Sequence, residues 1–170
     1  MWYQSFTVPD FMPVTSPNPA EILKTLTAFL AHLITLGWAY NDIHLFGFAQ
    51  GGSVALQLAL ALPASTRLGS VTSCSGPLLS LPTLAQNQTP CLVLHRPSSP
   101  LSKADLAALH KGFRDVREVS FKSGDGMPRG APEWEPVMKF WSEVLGREET
   151  SMGGGGEMYE VLSGGPKMGQ

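Results

Sequence analysis

The stretch HLFGFAQGGS, residues 44–53, decides the fold. Its first half belongs to a short apolar run, Ile43–Phe48, whose polar residues do not alternate strictly, which is typical of a buried strand. The almost wholly apolar segment Ser53–Leu62 predicts a helix that ends at the proline following it. Gly47 and Gly51 lie on either side of the junction. A strand, a Gly-x-x-x-Gly turn and a helix form the layout of a nucleophile elbow, where one strained side chain projects above a sheet.

On both sides of this stretch, the spacing of apolar residues predicts strands that alternate with helices. The first helix is expected to begin after the cap Asn18 and to end at Gly37. Further strands are predicted over Leu68–Cys74, Cys91–His95 and Val116–Phe121, and further helices over Lys103–Phe113 and Glu133–Leu145, with Gly146 just past the last. This order predicts an α/β fold, with a mostly parallel sheet and helices on both faces. Ligands of such sheets collect at the carboxyl ends of the strands.

Length and composition limit the classes of function. A chain of 170 residues, with 43% hydrophobic and 15% charged residues, is expected to form one domain with a substantial core. Its net charge of −2 lacks the basic excess that nucleic-acid binding requires. The longest apolar stretch, Leu26–Trp38, is shorter than the roughly 20 residues that span a bilayer. Because the N-terminus does not have the pattern of a secretory signal, a cytoplasmic location is expected.

The composition changes after residue 147. Residues 148–170 are rich in glycine, methionine and glutamate and contain little that could bury apolar area. The sequence therefore predicts a domain over residues 1–147 and a flexible tail over 148–170.

The two cysteines, Cys74 and Cys91, are too few for a disulfide framework and have no metal-ligand spacing. They are expected to lie near opposite ends of successive parallel strands, roughly 16 Å apart, which is too far for a disulfide. Reduced thiols are expected, with no metal site and no cofactor.

The elbow stretch resembles the Gly-Phe-Ser-Gln-Gly-Gly elbow of the phospholipase/carboxylesterase/acyl-protein thioesterase family. These are small α/β-hydrolases that cleave oxygen or thiol esters. The resemblance runs from Trp2-Tyr3 to about Leu145, and Ser75-Gly76 and His95 also match the family's pattern. It implies an α/β-hydrolase sheet and a ligand that is an acyl or ester small molecule, or an acylated protein.

The three positions of the family's catalytic triad are all altered. Ala49 occupies the nucleophile position, and a methyl group can neither attack a carbonyl nor be activated by a base. Ser99 stands where the resemblance places the acidic member, and Asp125 stands where it places the histidine. An aspartate is a poor general base at neutral pH. The backbone N–H of Gln50 would be one oxyanion-hole donor. The chain is therefore interpreted as an inactive or impaired pseudo-hydrolase.

In the family, the segment carrying the second oxyanion donor and its neighbouring strands precedes the Trp-Tyr region, here Trp2-Tyr3. The first strands of the fold are therefore expected to be absent, either because the start of the gene is missing or because the protein is a shortened relative. A sheet without them is expected to have an uncovered edge.

Three alternatives remain open at this point. An active ester or thioester hydrolase could use a relocated nucleophile, either Ser53 or Cys74, the latter activated by His95. The chain could instead be a non-enzymatic interaction module that binds a protein partner, or itself, through exposed apolar surface. It could also be a truncated gene product.

Overall fold

The computed structural model describes residues 1–14, 17–82 and 86–149, with side chains as far as Gly146. Four strands form one sheet in the order β1-β2-β3-β4, and every neighbouring pair is parallel. The strands are β1 (His44–Phe48), β2 (Ser70–Cys74), β3 (Cys91–His95) and β4 (Val116–Ser120). The predicted α/β class and parallel sheet are confirmed, and β3 has the predicted bounds.

In the described ranges four α-helices precede, connect or follow these strands. They are α1 (Ala20–Thr35), α2 (Gln50–Ala61), α3 (Lys103–Gly112) and α4 (Gly130–Glu149), and a short 3-10 helix covers Tyr40–Asp42. The N-cap of α1 is Pro19 and not the predicted Asn18, because the helix begins one residue later than expected; Asn18 lies just before it and its side-chain oxygen accepts the N–H of Ala20 at 3.0 Å. Gly37 follows α1 with φ of +98° and ends it as expected. Among these helices none is both long enough and apolar enough to cross a membrane.

The helices cover both faces of the sheet and divide the core in two. On one face α1, α2 and α3 pack over β-strand residues that include Val71 and Val93. On the other face α4 packs over Leu92 and Leu94. Side chains of a strand alternate between faces, so neighbouring residues of β3 enter different cores. All ten residues of β2 and β3 are buried, as expected for strands covered on both sides.

Two helices begin earlier than the sequence predicts. α2 begins at Gln50 rather than Ser53, so the turn at Ala49 leads directly into the helix. α4 begins at Gly130 rather than Glu133 and continues to Glu149, so Gly146 lies inside the helix and not past its end. The predicted domain boundary after residue 147 therefore falls within α4. The rest of the predicted tail, residues 150–170, lies outside the described residues.

Both cysteines are free and buried. Cys91 pairs with Val71 in the β2–β3 register, and Cys74 pairs with Leu94. Three residues of strand, roughly 10 Å, therefore separate the cysteines along the sheet. This is shorter than the expected separation, because Cys91 pairs with the second residue of β2 and Cys74 is the fifth. Cys74 belongs to the core under α4 and Cys91 to the opposite core, so their side chains leave different faces.

Candidate functional site

The turn between β1 and α2 has the backbone of a nucleophile elbow. Ala49 has φ of 50° and ψ of −119°, a conformation that residues with a side chain rarely adopt. Two backbone hydrogen bonds hold it there: the Ala49 N–H donates to the carbonyl of Cys74 at 2.8 Å, and the Ser53 N–H donates to the carbonyl of Ala49 at 3.1 Å. The strain is thus concentrated on the one residue that presents its side chain at the carboxyl end of β1.

Close backbone contacts require glycine at several positions around this turn. A Cβ atom on Gly47 would collide with the carbonyl oxygen of Gly51, and one on Gly76 would lie 2.5 Å from the carbonyl oxygen of Ala49. Gly52 is equally constrained, since a Cβ there would collide with Ser73 Oγ. Gly51 differs, because its Cβ would meet only Trp2 Nε1, at an ordinary 3.6 Å. The elbow therefore depends on Gly47, Gly52 and Gly76 more than on Gly51.

Gln50 connects the elbow to the N-terminal segment. Its Oε1 accepts the N–H of Trp2 at 3.1 Å, and its Nε2 donates to the carbonyl of Tyr3 at 3.3 Å and also to Ser5 Oγ. Its own backbone N–H lies in the first turn of α2, where N–H groups lack an acceptor within the helix. No acceptor for that N–H is found among residues 1–14, 17–82 and 86–149. The Gln50 N–H can therefore serve a ligand oxygen.

Ser99 and Asp125, the other two altered positions, lie in the loops that follow β3 and β4. The Ser99 N–H donates to the carbonyl of Arg96 at 3.0 Å and closes a tight turn that supplies no carboxylate. Asp125 is 75% exposed, and its carboxylate accepts a hydrogen bond at 3.0 Å from Arg129, four residues further on. The carboxylate at the position that the resemblance assigns to the histidine is thus paired with a cation at the surface.

The chain matches the family described as phospholipase/carboxylesterase over residues 1–114. It belongs to the phospholipase/carboxylesterase family. An uncharacterised hydrolase of Mycosarcoma maydis is 33% identical over 154 residues, which is 85% of this chain and 58% of that protein. The chain therefore spans less than two thirds of the length of this curated relative.

A solved structure shows the same fold. The crystal structure of a point variant of Arabidopsis thaliana SOBER1 superposes with a TM-score of 0.65. The two proteins are 21% identical, and the match covers 85% of this chain and 74% of the other. At this identity the similarity supports the fold and not a shared activity.

A buried ion pair, which the sequence did not reveal, organises the loop that carries Asp125. Arg96 is only 1% exposed, and its guanidinium donates to the Glu133 carboxylate at 2.6 and 3.2 Å. It also donates to three loop carbonyls, those of Ser123, Gly126 and Met127, at 2.6, 2.9 and 3.1 Å. Its guanidinium carbon lies 4.6 Å from the centre of the Phe121 ring. Arg96 thereby connects the ends of β3 and β4 to the start of α4.

Charge pairing shifts both groups toward their ionised forms. Hydrogen bonds from Arg96 and from the backbone N–H of Arg129 lower the pKa of Glu133 to about 2. The hydrogen bond to Glu133 raises the pKa of Arg96, although burial opposes this. The Glu133 carboxylate is directed at Arg96, a pairing that the sequence analysis did not predict. One signal was available: Arg96 directly follows a wholly apolar strand, at the edge where loops converge.

The alternative nucleophiles lie in unfavourable surroundings. Ser53 is buried within α2, one turn beyond Ala49. Cys74 is 1% exposed, and desolvation raises the pKa of its thiol, which disfavours the reactive thiolate. Because Cys74 shares a face with Leu94, the next residue, His95, projects from the other face. There its Nε2 lies 2.7 Å from Glu118 Oε1. Cys74 and His95 do not form a dyad.

Aromatic side chains gather at the β1 end of the sheet. The ring of Phe46 stacks on Trp134 at 6.2 Å between centroids and meets Trp141 edge-on at 5.9 Å. Phe46 is nevertheless 38% exposed and Phe48 43% exposed, because no strand among the described residues pairs with the outer side of β1. The expected uncovered edge is therefore present in the described part of the chain.

No group of three or more His, Cys, Asp or Glu side chains in the described ranges has the arrangement of a metal site. The candidate site of this family member consists of the strained turn at Ala49, the Gln50 N–H beside it and the two loops joined by Arg96.

Proposed function

We propose that this protein is a phospholipase/carboxylesterase-family member that no longer performs serine-hydrolase catalysis. The observation that carries the proposal is the methyl group of Ala49 at the strained tip of the elbow. This position must hold a hydroxyl or thiol for covalent catalysis, and a methyl group cannot form the acyl intermediate.

The surroundings of the elbow support the same conclusion. Asp125 stands at the base position, but its carboxylate is at the surface and paired with Arg129. Ser99 supplies no carboxylate to orient a base. In serine hydrolases, loss of the nucleophile or of the histidine lowers turnover on the order of 10⁶-fold, and the remaining rate comes from the oxyanion hole and binding. With both replaced, we expect no measurable turnover.

The proposed remaining function is binding. The elbow geometry and the Gln50 N–H are retained without the nucleophile, so a carbonyl or carboxylate oxygen of an acyl or ester ligand, or of an acylated protein, can be held without being cleaved. The cytoplasmic location expected from the sequence remains part of this proposal.

The test is intact-mass analysis after treatment with a fluorophosphonate probe. The natural chain is expected to give no adduct, while an active serine hydrolase in the same reaction gives a stoichiometric one. The variant Ala49→Ser, treated in parallel, shows whether the elbow alone makes a serine reactive. A stoichiometric adduct on the natural chain would refute the proposal.

A separate experiment, which measures ester turnover after thiol alkylation, tests Cys74 as a relocated nucleophile. If Cys74 carried a hydrolase activity, iodoacetamide would abolish ester turnover and Cys74→Ala would remove it. The burial of Cys74 and the position of His95 on the opposite face favour neither result. We expect Cys74 to be alkylated only after unfolding.

A second candidate function, self-association, is supported by the open edge of β1. The Ala49 N–H bonds to β2, so in a regular ladder the backbone groups of His44, Phe46 and Phe48 point away from the sheet. An unpaired strand edge of this kind can form backbone hydrogen bonds with a strand of another chain. Because few side chains are available for burial there, we propose a weak dimer formed by two antiparallel β1 edges.

Sedimentation velocity over a wide range of protein concentration tests this second candidate. The weight-average sedimentation coefficient is expected to rise with concentration for the natural chain and for Phe11→Lys, a charge added at another exposed phenylalanine. It is expected to stay at the monomer value for Phe48→Lys. A natural chain that remains monomeric at the highest concentration would contradict self-association.

A further inference from the structure

A basic cleft lies at the end of the sheet opposite the elbow. It has a volume of about 430 Å³ and is formed where the chain enters β2, β3 and β4. The residues that line it are Arg67, Gln88, Pro90, Arg114 and Asp115. The elbow is at the carboxyl ends of the strands, so a strand length separates the two places. A ligand in this cleft would not contact the residues of the altered triad.

The backbone of the cleft is fixed by two buried polar side chains. Asn87 is buried, and its Nδ2 donates to the carbonyls of Ala59 and Thr66 at 3.0 and 3.4 Å. Thr89 is also buried, and its Oγ1 accepts the N–H of Leu68 at 2.9 Å. Arg67 lies between Thr66 and Leu68 in the chain, so both of its neighbours are held.

The same two side chains fix the other positions. The Thr89 N–H donates to Asn87 Oδ1 at 2.8 Å, which fixes the turn at whose tip Gln88 is exposed. The Arg114 N–H donates to the carbonyl of Asn87 at 3.0 Å. Three segments distant in sequence therefore meet on a fixed backbone, from which the side chains of Arg67, Gln88 and Arg114 extend to line the cleft. Such preorganisation lowers the entropy lost when a ligand binds.

The charges in the cleft are unbalanced. Asp115 Oδ1 lies 3.9 Å from Arg117 Nε, so its charge is shared with an arginine outside the lining. Arg67 and Arg114 have no carboxylate within ion-pair distance among the residues that the structure describes. Arg117 also pairs with Glu143, so the Asp115 carboxylate still counts in the cleft. The lining therefore holds two guanidinium groups and one carboxylate, a formal charge of +1, on a protein whose net charge is −2.

We propose that this cleft binds the phosphate group of a small organic phosphate. Guanidinium groups donate in pairs to phosphate oxygens, and with two of them beside one carboxylate the lining keeps a positive charge that attracts an anion. The Gln88 amide can donate to a third oxygen. The volume lies within the range of small-molecule sites and leaves room for a group esterified to the phosphate. The ligand is held by charge and shape, without any covalent step.

Isothermal titration calorimetry with phenyl phosphate and with inorganic phosphate tests the site. The natural chain is expected to bind one phenyl phosphate per chain, and Arg67→Gln and Arg114→Gln are each expected to weaken binding at least tenfold. The matched control is Arg129→Gln, which makes the same substitution at an arginine that is 75% exposed and outside the cleft. It is expected to bind like the natural chain.

The outcomes separate the sources of the phosphate group. Tighter binding of phenyl phosphate assigns the cleft to organic phosphates, while equal binding assigns it to the free ion. Absence of binding would overturn the proposal, and so would equal weakening by all three substitutions, which would indicate only a general charge effect. Thermal unfolding of each variant checks that it is folded. Because the assay does not involve the elbow, its result is independent of whether the protein hydrolyses esters.

Discussion

Replacing Arg96 by methionine should destabilise the protein far more than the same substitution at an exposed arginine. The guanidinium is almost fully buried and donates five hydrogen bonds, two to the Glu133 carboxylate and three to carbonyls of the loop at 123–127. Methionine keeps most of the apolar stem and removes every donor. The carboxylate of Glu133 then faces a partly buried site without its cation.

The magnitude follows from the environment of these groups. Removing one member of a buried ion pair costs about 3–5 kcal/mol. The lower end applies here, because the Glu133 side chain is 29% exposed and water can reach it and the loop carbonyls. We therefore expect Arg96→Met to lower the free energy of unfolding by about 3 kcal/mol, and the melting temperature by roughly 6–12 °C.

Urea denaturation followed by circular dichroism measures this change. Arg129→Met is the matched control, and as an exposed residue it should change stability by no more than about 0.5 kcal/mol. Arg96→Lys should recover little, since one ammonium cannot reach the carboxylate and three carbonyls together. If Arg96→Met costs less than about 1 kcal/mol, the hydrogen bonds of Arg96 do not hold the loop and the reasoning fails.

Three further predictions concern the same two regions. The pKa of Glu133 is lowered to about 2 in the folded protein, so the stability that its carboxylate contributes is complete above pH 4.5 and is lost as the pH falls toward 2. The free energy of unfolding of Glu133→Gln, measured over this pH range, should therefore fall less than that of the natural chain. Gly47→Ala should cost about 3 kcal/mol, because a Cβ meets the rigid backbone of Gly51, whereas Gly51→Ala should be neutral within about 0.5 kcal/mol in the same urea assay. Ala49→Gly should stabilise the fold by about 1 kcal/mol, since the strain of φ 50° exceeds the entropic cost of glycine; a loss of stability would mean that the elbow stores no strain.

The sheet could be predicted from the sequence because each strand has a local signature. Cys91–His95 is an uninterrupted apolar run between polar segments, and its bounds were predicted correctly. The starts of α2 and α4 were missed, since glycines and prolines conceal a helix from propensity arguments. Packing overrides these propensities: Gly52 fits tightly against Ser73, and Gly130 and Pro132 lie in the first turn of a helix whose apolar face covers β3.

The pairing of Arg96 with Glu133 could not be predicted in the same way. The two residues are 37 positions apart, and neither the strand before Arg96 nor the helix around Glu133 marks them as partners. The parallel pairing of β3 and β4 brings the loops that follow them together. The Arg96 side chain then reaches the Ser123 carbonyl in the loop after β4. Local patterns predict elements, whereas contacts between loops depend on topology and on side-chain direction.

The proposed loss of serine-hydrolase chemistry is compatible with an intact elbow geometry. Strain at one residue persists only where the surrounding structure determines its conformation. Here that determination comes from backbone hydrogen bonds to Cys74 and Ser53 and from the glycine contacts of Gly47 and Gly76, none of which involves the side chain at position 49. Replacing a nucleophile by alanine therefore removes the reacting atom and leaves the turn intact. A family assignment based on the scaffold is correct for this chain, while the reaction depends on a single side chain that the scaffold does not determine.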